Sequence, residues 1–457
     1  MGKNKKEYLK VFSIDLRVPF KHLLWTLVIA VQTALPASVQ AELILDASFS
    51  VSEYYTNNLF FTFANKQDDF ATLVNPRISL SYQSEYVVIQ GIYTGTGQFF
   101  ANNHGANTFI NGADLNFDLP FLTKRFDNLE VRLIESFNIS PQLPAFTSVA
   151  LDQSFGANLG QGAGGGLGGN LGGGTGLGGG TGPGGGNQIL NNQGVILQRT
   201  STAYQNQAGF QATYHFSQSL FQTLEYSNRI QEFTSSFFQD SVTHQVSTRL
   251  GVQQSPSTQF NFGYNFQIID FDGGGGANTQ APGGSGSATS HTASVGVNHQ
   301  FSQTVPMNAQ FGMTLTDTEL QSQRVNFTGN VAVSKIFQDG QVSLGYRQQV
   351  GNGGGLAAAS TLSQTVFLSG NKLLTKYVTV FGSFGYGRND SLAGPVIQLE
   401  TYQANGGMSV AILSWLNGVS SYSYQNQEST GTFGNTAQSH MVFIGLTATA
   451  PPFRLFK

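Results

Sequence analysis

Seven arginines are the residues whose type and spacing best fit a binding chemistry. Each occupies a position that alternates with apolar residues, so we expect all seven on the polar side of two-faced strands. Guanidinium groups around a watery passage favour anions over cations. The candidate pore-lining residues are Arg77, Arg132, Arg199, Arg229, Arg249, Arg324 and Arg347.

Acidic residues share this polar side, and they set the expected charge of the interior. Glu225 lies four residues before Arg229, and Glu130 two before Arg132, so each pair can form an ion pair that only stabilises the wall. Five acids cannot neutralise seven arginines, and we predict a net cationic interior. Arg249 has no acidic residue two positions away on its own strand, nor has Arg347, and both are expected to be free to contact a solute. The acids are Asp46, Asp114, Asp118, Glu130 and Glu225.

Other chemistry finds little support in the sequence. The histidines are scattered and none shows the spacing of a metal site, and serine is so abundant that an imagined Ser-His triad carries no information. The GxGxxG spacings fall inside a glycine-rich run without a strand-to-helix context. We predict no enzyme, catalytic residue, metal, cofactor or nucleic-acid partner, with an outer-membrane hydrolase as the third alternative. The histidines considered are His104, His215, His244, His291, His299 and His440.

The stretch from Asp240 to Phe271 shows most clearly which elements carry these residues. Mostly apolar side chains recur at every second position from Val242 to Val252, and again from Phe260 to Ile268. Asn, Gln, Ser, Thr, Gly and Arg fill the alternate positions, and a Ser-Pro-Ser-Thr corner separates the two halves. This hairpin has the dyad pattern of a transmembrane β-barrel, with one face toward lipid and one toward water.

The composition agrees with a barrel in a membrane. Only 10% of the residues are charged, against 40% apolar, whereas a soluble domain carries about 25% charged residues. No run of about twenty apolar residues occurs in the body of the chain, which argues against a bundle of membrane helices. Cysteine is absent, so there is neither a disulfide framework nor a thiolate site.

Connections between the strand-like segments alternate between short and long. Turns such as Gln83-Ser84 and Ser255–Thr258 are short. The sequence predicts an all-β fold, a transmembrane antiparallel up-and-down β-barrel of roughly eighteen strands with short periplasmic turns and long extracellular loops. An even number of strands places both termini in the periplasm. The expected long loops include Asp270–Ser290, Gly351–Ser360, Arg388–Glu400 and Glu428–Gln438.

Two segments are expected to lie outside the barrel wall. Residues 1–41 combine six basic residues with the apolar run Leu23–Leu35 and read as a signal peptide cleaved after Ala41, leaving 42–457 as the barrel. A membrane anchor is the alternative, but the run is too short to span a bilayer. The connection 140–197 is rich in glycine and is predicted to be a mobile extracellular loop. The alternative is that this loop folds inward and narrows the pore.

The first hairpin carries a family resemblance. Val51–Leu59, Asp68-Asp69-Phe70 and Val74–Leu80 resemble the N-terminal hairpin of the outer-membrane β-barrel proteins associated with PEP-CTERM and exopolysaccharide systems. The resemblance covers about forty residues and implies an outer-membrane barrel involved in exopolysaccharide production or export. It implies no catalytic residue. The chain departs from common barrels at Pro451-Pro452, so the insertion signal is either Val442–Thr449 or Phe456.

Charge along the predicted barrel axis suggests a direction of transport. Acidic residues such as Asp68, Asp69, Asp270 and Asp390 lie near the predicted outer loops, whereas Lys335 and Lys376 lie near the predicted periplasmic ends. This gradient would assist outward passage of a polyanion. Alternatively, the acidic loops bind divalent cations shared with lipopolysaccharide.

From these observations we expect an outer-membrane channel for an anionic polysaccharide or a small anionic solute. A non-conducting structural or docking barrel of an exopolysaccharide assembly is the main alternative. The expected partners are outer-membrane lipid, lipopolysaccharide and exopolysaccharide export components, and the oligomeric state is left open.

The predicted orientation can be tested with single cysteines, because the chain has none of its own. Gly173→Cys, in the long connection, should react with a membrane-impermeant thiol reagent on intact cells. Pro256→Cys, in a short turn, should react only after the outer membrane is permeabilised. Labelling of the Pro256 variant on intact cells would contradict the orientation.

Overall fold

The chain forms a closed antiparallel barrel, as the alternating pattern predicts. The computed structural model describes residues 42–140, 202–234, 240–272, 286–318, 321–351, 360–393, 397–431 and 435–456. Strands β1 to β18 each pair with their neighbours in the sequence, and β1 closes the barrel by pairing with β18. The all-β up-and-down fold and the strand count are therefore confirmed.

The strands, in chain order, are β1 Glu42–Thr56, β2 Asp69–Gln83, β3 Val88–Phe100, β4 Thr108–Asp118, β5 Leu129–Ser140, β6 Ala203–His215, β7 Leu220–Phe233, β8 Asp240–Ser255, β9 Thr258–Asp272, β10 Gly286–Ser302, β11 Val305–Thr318, β12 Gln321–Phe337, β13 Gly340–Gly351, β14 Ser360–Thr375, β15 Val378–Ala393, β16 Ile397–Leu413, β17 Leu416–Gly431, β18 Asn435–Thr449 and β19 Phe453–Phe456. A short helix, α1, spans Pro120–Arg125, and a 3-10 turn spans His104–Ala106. No helix among the described residues is long and apolar enough to cross a membrane. The predicted signal peptide, the connection 140–197 beyond Ser140, and Arg199 lie outside the described residues.

The seam of the barrel is made by both β18 and β19. Strand β18 pairs with the second half of β1, and after the break at Pro451-Pro452 the short strand β19 pairs with Leu43–Leu45 of β1. The prolines interrupt the ladder because they lack a backbone N–H. Just before them, the backbone N–H of Ala450 donates to the carbonyl of Ala47 at 2.9 Å. The sequence pattern did not predict that pairing resumes after the prolines.

The two ends of the barrel differ in their connections, and several strands are longer than predicted. At the short-turn end, two-residue turns such as 256–257 and 414–415 join consecutive strands. At the long-connection end, the predicted loops 388–400 and 428–438 are largely strand, with only 394–396 and 432–434 between the strand ends. The prediction treated segments rich in Gly, Asn or Asp as loops. A barrel strand that extends beyond its apolar belt has water on both faces, so polar residues there are compatible with a strand.

The outer surface is apolar in its middle and bounded by two rings of aromatic side chains. Tyr204 and Tyr214 lie on the same outer face of β6, ten positions apart (204 to 214). At a rise of about 3.4 Å per residue and a tilt of about 40°, the belt between them is about 26 Å tall. The ring at the short-turn end includes Phe216, Phe301, Phe337, Tyr377, Trp415 and Phe453. The ring toward the long-connection end includes Tyr204, His291, Tyr386, Tyr402, Tyr422 and His440.

Close strand packing at Gly407 of β16 can be tested by adding one methyl group. A Cβ at Gly407 would lie 2.4 Å from the backbone oxygen of Ser420 and 2.7 Å from the ring of Phe381. At Gly382 of β15 a Cβ would meet only the oxygen of Asn405, at 3.6 Å. Gly407→Ala should therefore destabilise the barrel by about 1–3 kcal/mol. The matched control Gly382→Ala should be neutral or slightly stabilising. The urea midpoint of unfolding, followed by heat-modifiable gel mobility, measures both, and equal midpoints would contradict this packing.

Candidate functional site: the barrel lumen

The inner wall of the barrel is lined by amides and hydroxyls that bond across the strands. Asn308 on β11 lies between Asn298 and Asn330, accepting a hydrogen bond from Asn330 Nδ2 at 2.8 Å and donating to Asn298. Nearer the long-connection end of β10 and β11, the hydroxyls of Thr292 and Thr314 are 2.8 Å apart. These residues alternate with exposed outer residues of the same strands, so they face the lumen. The wall is polar and its groups are held in place by their neighbours.

All six described arginines of the candidate set lie on strands at inner-face positions. Arg77, for example, pairs across the sheet with Ser48 and Thr94, while its chain neighbour Ile78 is 46% exposed on the outer surface. Arg324 likewise alternates with Val325, which is 57% exposed. The structure distributes the six around the wall on separate strands and does not bring them together as one cluster. They are Arg77, Arg132, Arg229, Arg249, Arg324 and Arg347.

The partners of these arginines differ from the expected ones. Arg132 Nε bonds the Asp118 carboxylate at 2.5 Å across the β4–β5 pair, rather than Glu130 on its own strand. Glu225 interacts electrostatically with Arg249 of the neighbouring strand, so the expectation that Arg249 is free was wrong. Arg347 also interacts with another residue, so the same expectation was wrong for Arg347. The prediction considered only residues along one strand, whereas directly opposite residues on adjacent strands have Cβ atoms only about 5 Å apart.

Two arginines are less constrained. Arg77 is half-buried on β2, and Arg324 is exposed near the long-connection end of β12. Neither forms a salt bridge with another residue that the structure describes. These two side chains are therefore the best placed of the six to meet an anion in the lumen.

An apolar cluster inside the lumen was not anticipated from the sequence. Tyr54, Ala71 and Phe443 are directly opposite one another on β1, β2 and β18, and therefore share one face. That face is the inner one, because Val442 and Ile444 on either side of Phe443 are 46% and 63% exposed on the outer surface. We call this group the inner apolar cluster. Its buried members are Tyr54, Leu59, Ala71, Leu73, Phe100, Val419 and Phe443.

Connection 57–68 folds into the barrel and covers this cluster. Its Leu59 is buried within the cluster, and Phe60 packs against it. Asn58 is 2% exposed and holds the connection in place, because its side-chain N–H groups donate to the carbonyls of Thr62 and Gln438, each at 2.8 Å. Phe61 has a φ of 48°, a left-handed conformation that costs a bulky residue about 1–3 kcal/mol. Such strain persists only where the surroundings enforce it, as they do here.

Asp69 fixes the second connection of this region, 101–107. Its carboxylate accepts hydrogen bonds from the backbone and side-chain N–H groups of Asn102 and Asn103, at 2.8 to 3.3 Å. Ala106 of that connection packs against the inner apolar cluster. Asp69 is 1% exposed, so the expectation that it contributes to an acidic outer surface was wrong.

The inner apolar cluster narrows one side of the lumen toward the long-connection end. The alternation predicts polar residues at the inner-face positions of Leu73, Phe100, Val419 and Phe443. Apolar residues at these positions are the signal in the sequence from which the cluster could have been predicted. Across the described ranges, no group of three or more His, Cys, Asp or Glu residues could hold a metal ion. The site is therefore a polar wall with arginines, restricted on one side by an apolar constriction.

Removal of the Asn58 side chain tests the inward fold of connection 57–68. Asn58→Ala leaves the carbonyls of Thr62 and Gln438 without their donors and should loosen the connection by about 1–3 kcal/mol. We expect much faster chymotrypsin cleavage after Phe60, Phe61 or Phe63 in the folded barrel. Lys66→Ala, an exposed position in the same connection, is the control and should leave the cleavage rate unchanged. Equal rates in the two variants would contradict the role of Asn58.

Comparisons with known proteins reach no further than general architecture. No family model matches the sequence, and no curated protein matches it. Among solved structures, the chain is similar to OccK3 (OpdO) of Pseudomonas aeruginosa, with 10% identity, 89% of this chain and 96% of that chain covered, and a TM-score of 0.41. It is also similar to OccAB2 of Acinetobacter baumannii, with 10% identity, 89% of this chain and 98% of that chain covered, and a TM-score of 0.44. A third similar structure is the siderophore receptor PirA of P. aeruginosa, with 9% identity, 89% of this chain and 80% of that chain covered, and a TM-score of 0.42. Likenesses of this size do not identify a function.

Proposed function

We propose that this protein is an outer-membrane channel for an anionic polysaccharide or a small anionic solute. The observation that carries the proposal is the contrast between the two faces of the wall. The inner face is polar and carries arginines on six strands, whereas the outer face is apolar between two aromatic rings. The buried residues of the inner apolar cluster lie on β1, β2, β3, β17, β18 and connection 57–68, whereas five of the six described arginines lie on β5, β7, β8, β12 and β13.

The outer surface supports a location in the bacterial outer membrane. The belt of about 26 Å matches the apolar band of about 25 Å in outer-membrane barrels. Aromatic rings mark the two membrane interfaces in such proteins. At the short-turn end, cations lie over ring faces, with Lys376 Nζ 4.6 Å from the Tyr377 centroid and Lys124 Nζ 5.5 Å from that of Tyr86. Such pairs suit the headgroup region, where an apolar side chain meets a charged surface.

The dimensions of the barrel support a water-filled passage. Barrels of 16 to 18 strands are wide enough to leave an aqueous channel after their inward side chains are placed. A polysaccharide offers hydroxyl groups along its length, and the amides and hydroxyls of the inner wall can bond to them. Arg77 and Arg324 add positive charge for the anionic groups of such a solute. The exopolysaccharide association itself rests on the resemblance of the first hairpin.

A non-conducting docking barrel is the second candidate, and one observation favours it. The inner apolar cluster and the strained connection 57–68 occupy part of the lumen. If the remaining space is closed, the barrel would serve as a scaffold of an exopolysaccharide assembly. Catalysis has no support from the described side chains, and the proposal contains no enzymatic step.

Ion selectivity of the refolded protein tests the channel proposal. Under a salt gradient across a planar bilayer, the wild type should conduct with anion preference. At about 8 Å through water, replacing one arginine by glutamate should change the anion-to-cation permeability ratio about threefold after screening. Arg77→Glu with Arg324→Glu should therefore shift the reversal potential toward cation preference.

Lys335→Glu is the control, because it makes the same charge change as each single Arg→Glu substitution but on the outer surface, where Lys335 Nζ donates to Thr304 Oγ1 at 2.8 Å. Its reversal potential should stay close to that of the wild type. Heat-modifiable gel mobility checks that each variant folds. A wild type without conductance steps would favour the docking barrel. A double variant that conducts with unchanged selectivity would remove both arginines from the ion path.

A further inference from the structure

Glu135 is a carboxylate on the part of the outer surface where apolar side chains are expected. It lies on β5 between Leu133 and Phe137, and Leu133 is 41% exposed on the outer surface. Its cross-strand partners Leu115 and Ala208 share that outer face. The neighbouring pairs Leu129–Tyr214 and Ile139–Tyr204 place it between the levels of the two aromatic rings. Glu135 is therefore inside the apolar belt.

Further polar groups extend from Glu135 across four strands. Asn206 Nδ2 donates to Glu135 Oε1 at 2.6 Å. The cross-strand row continues from Ala208 to Asn228 on β7 and to His244 on β8. His244 Nδ1 lies 3.2 Å from Asn228 Nδ2 and 3.1 Å from the hydroxyl of Tyr226. We call this group the outer polar strip: Glu135, Asn206, Tyr226, Asn228 and His244.

Acyl chains offer the outer polar strip no hydrogen-bonding partner. Glu135 retains acceptor capacity beyond its single bond from Asn206, because an ionised carboxylate can accept about four hydrogen bonds. Lipid headgroups lie at the level of the aromatic rings, above and below the strip. A protein surface with donors at the same depth is the kind of partner that fits.

We propose that the outer polar strip is the contact surface between two copies of this chain. The strip contains its own complement, with a carboxylate acceptor on β5 and hydroxyl and amide donors on β6 and β7. In a symmetric pair the same patch serves both subunits, so each carboxylate meets the donors of the other. Four strands about 4.8 Å apart and a belt of about 25 Å give about 500 Å² per copy. The total of about 1,000 Å² reaches the size of a specific interface.

Membrane orientation narrows the geometry of the pair. Two copies in one membrane point the same way, so their two-fold axis runs along the membrane normal and each group meets others at its own depth. The row through Glu135 rises toward the long-connection end and reaches Asp317 at the end of β11. Asn228, the residue of this row on β7, therefore lies nearer the long-connection end than Glu135 does. The outer residue of β7 closest in depth to Glu135 is Tyr226, two positions nearer the short-turn end than Asn228. The axis passes near Ala208 on β6, and Glu135 accepts from the hydroxyl of Tyr226 in the second copy. Asn228 remains as the donor to His244.

Disulfide formation at Ala208 tests the pair directly, since the chain has no native cysteine. Ala208→Cys lies beside the proposed axis and should give an oxidant-induced product of twice the chain mass in native membranes. Ala404→Cys on the far side of the barrel is the matched control, because Ala404 is also a small outer-face residue, two positions from the exposed Tyr402. It should give little product. Adding Glu135→Leu to Ala208→Cys should lower the yield at least about fivefold, since symmetry removes the hydrogen bond twice.

Every outcome of this experiment bears on the proposal. No product from Ala208→Cys, or equal product from both cysteines, would overturn it. A product of another mass would assign the strip to a different protein and would also overturn it. An unchanged yield with Glu135→Leu would overturn the role of Glu135. The proposal rests on the membrane location above, which membrane fractionation and heat-modifiable mobility of the same samples test separately from the pairing.

Discussion

The structure depends on the requirement that every backbone N–H and C=O along the wall has a partner within the sheet. An open sheet would leave two edges unpaired, and in an apolar medium each unpaired group costs several kcal/mol. Pairing of β1 with β18 removes both edges. Once the sheet is closed, strict alternation of side chains follows, and with it the separation of a polar lumen from an apolar exterior. The aromatic rings, the inward arginines and the short turns all follow from this closure.

The sequence predicted the barrel well because a period of two is a local property. In the stretch 240–271, the alternation of side chains shows which face of each strand is apolar and which is polar, without information from the rest of the chain. The inner-face positions of the arginines follow from the same period. Their partners do not, because Arg132 forms a salt bridge with Asp118 and Arg249 interacts electrostatically with Glu225, each on a neighbouring strand. Such contacts depend on register, which alternation alone leaves undetermined by any even number of residues.

The constriction and the outer polar strip are departures from the same alternation. Phe443 and Leu73 are apolar on the inner face, and Glu135 is acidic on the outer face. Each breaks the pattern at a single position, and a single exception in a sequence resembles noise. The inward fold of connection 57–68 depends on Asn58 reaching the backbone of Gln438, a residue 380 positions away. No local pattern contains that information.

The seam has a consequence for the time course of assembly. Leu43 pairs with Phe456, so the two ends of the described chain meet in the finished wall. Most other pairings join consecutive strands and can form as local hairpins, whereas this one requires the ends of a chain of several hundred residues to find each other. Hairpins can therefore accumulate with both outer edges still unpaired. Until the seam forms, those edges can pair with other chains, and protection against aggregation is needed longest at β1 and β18.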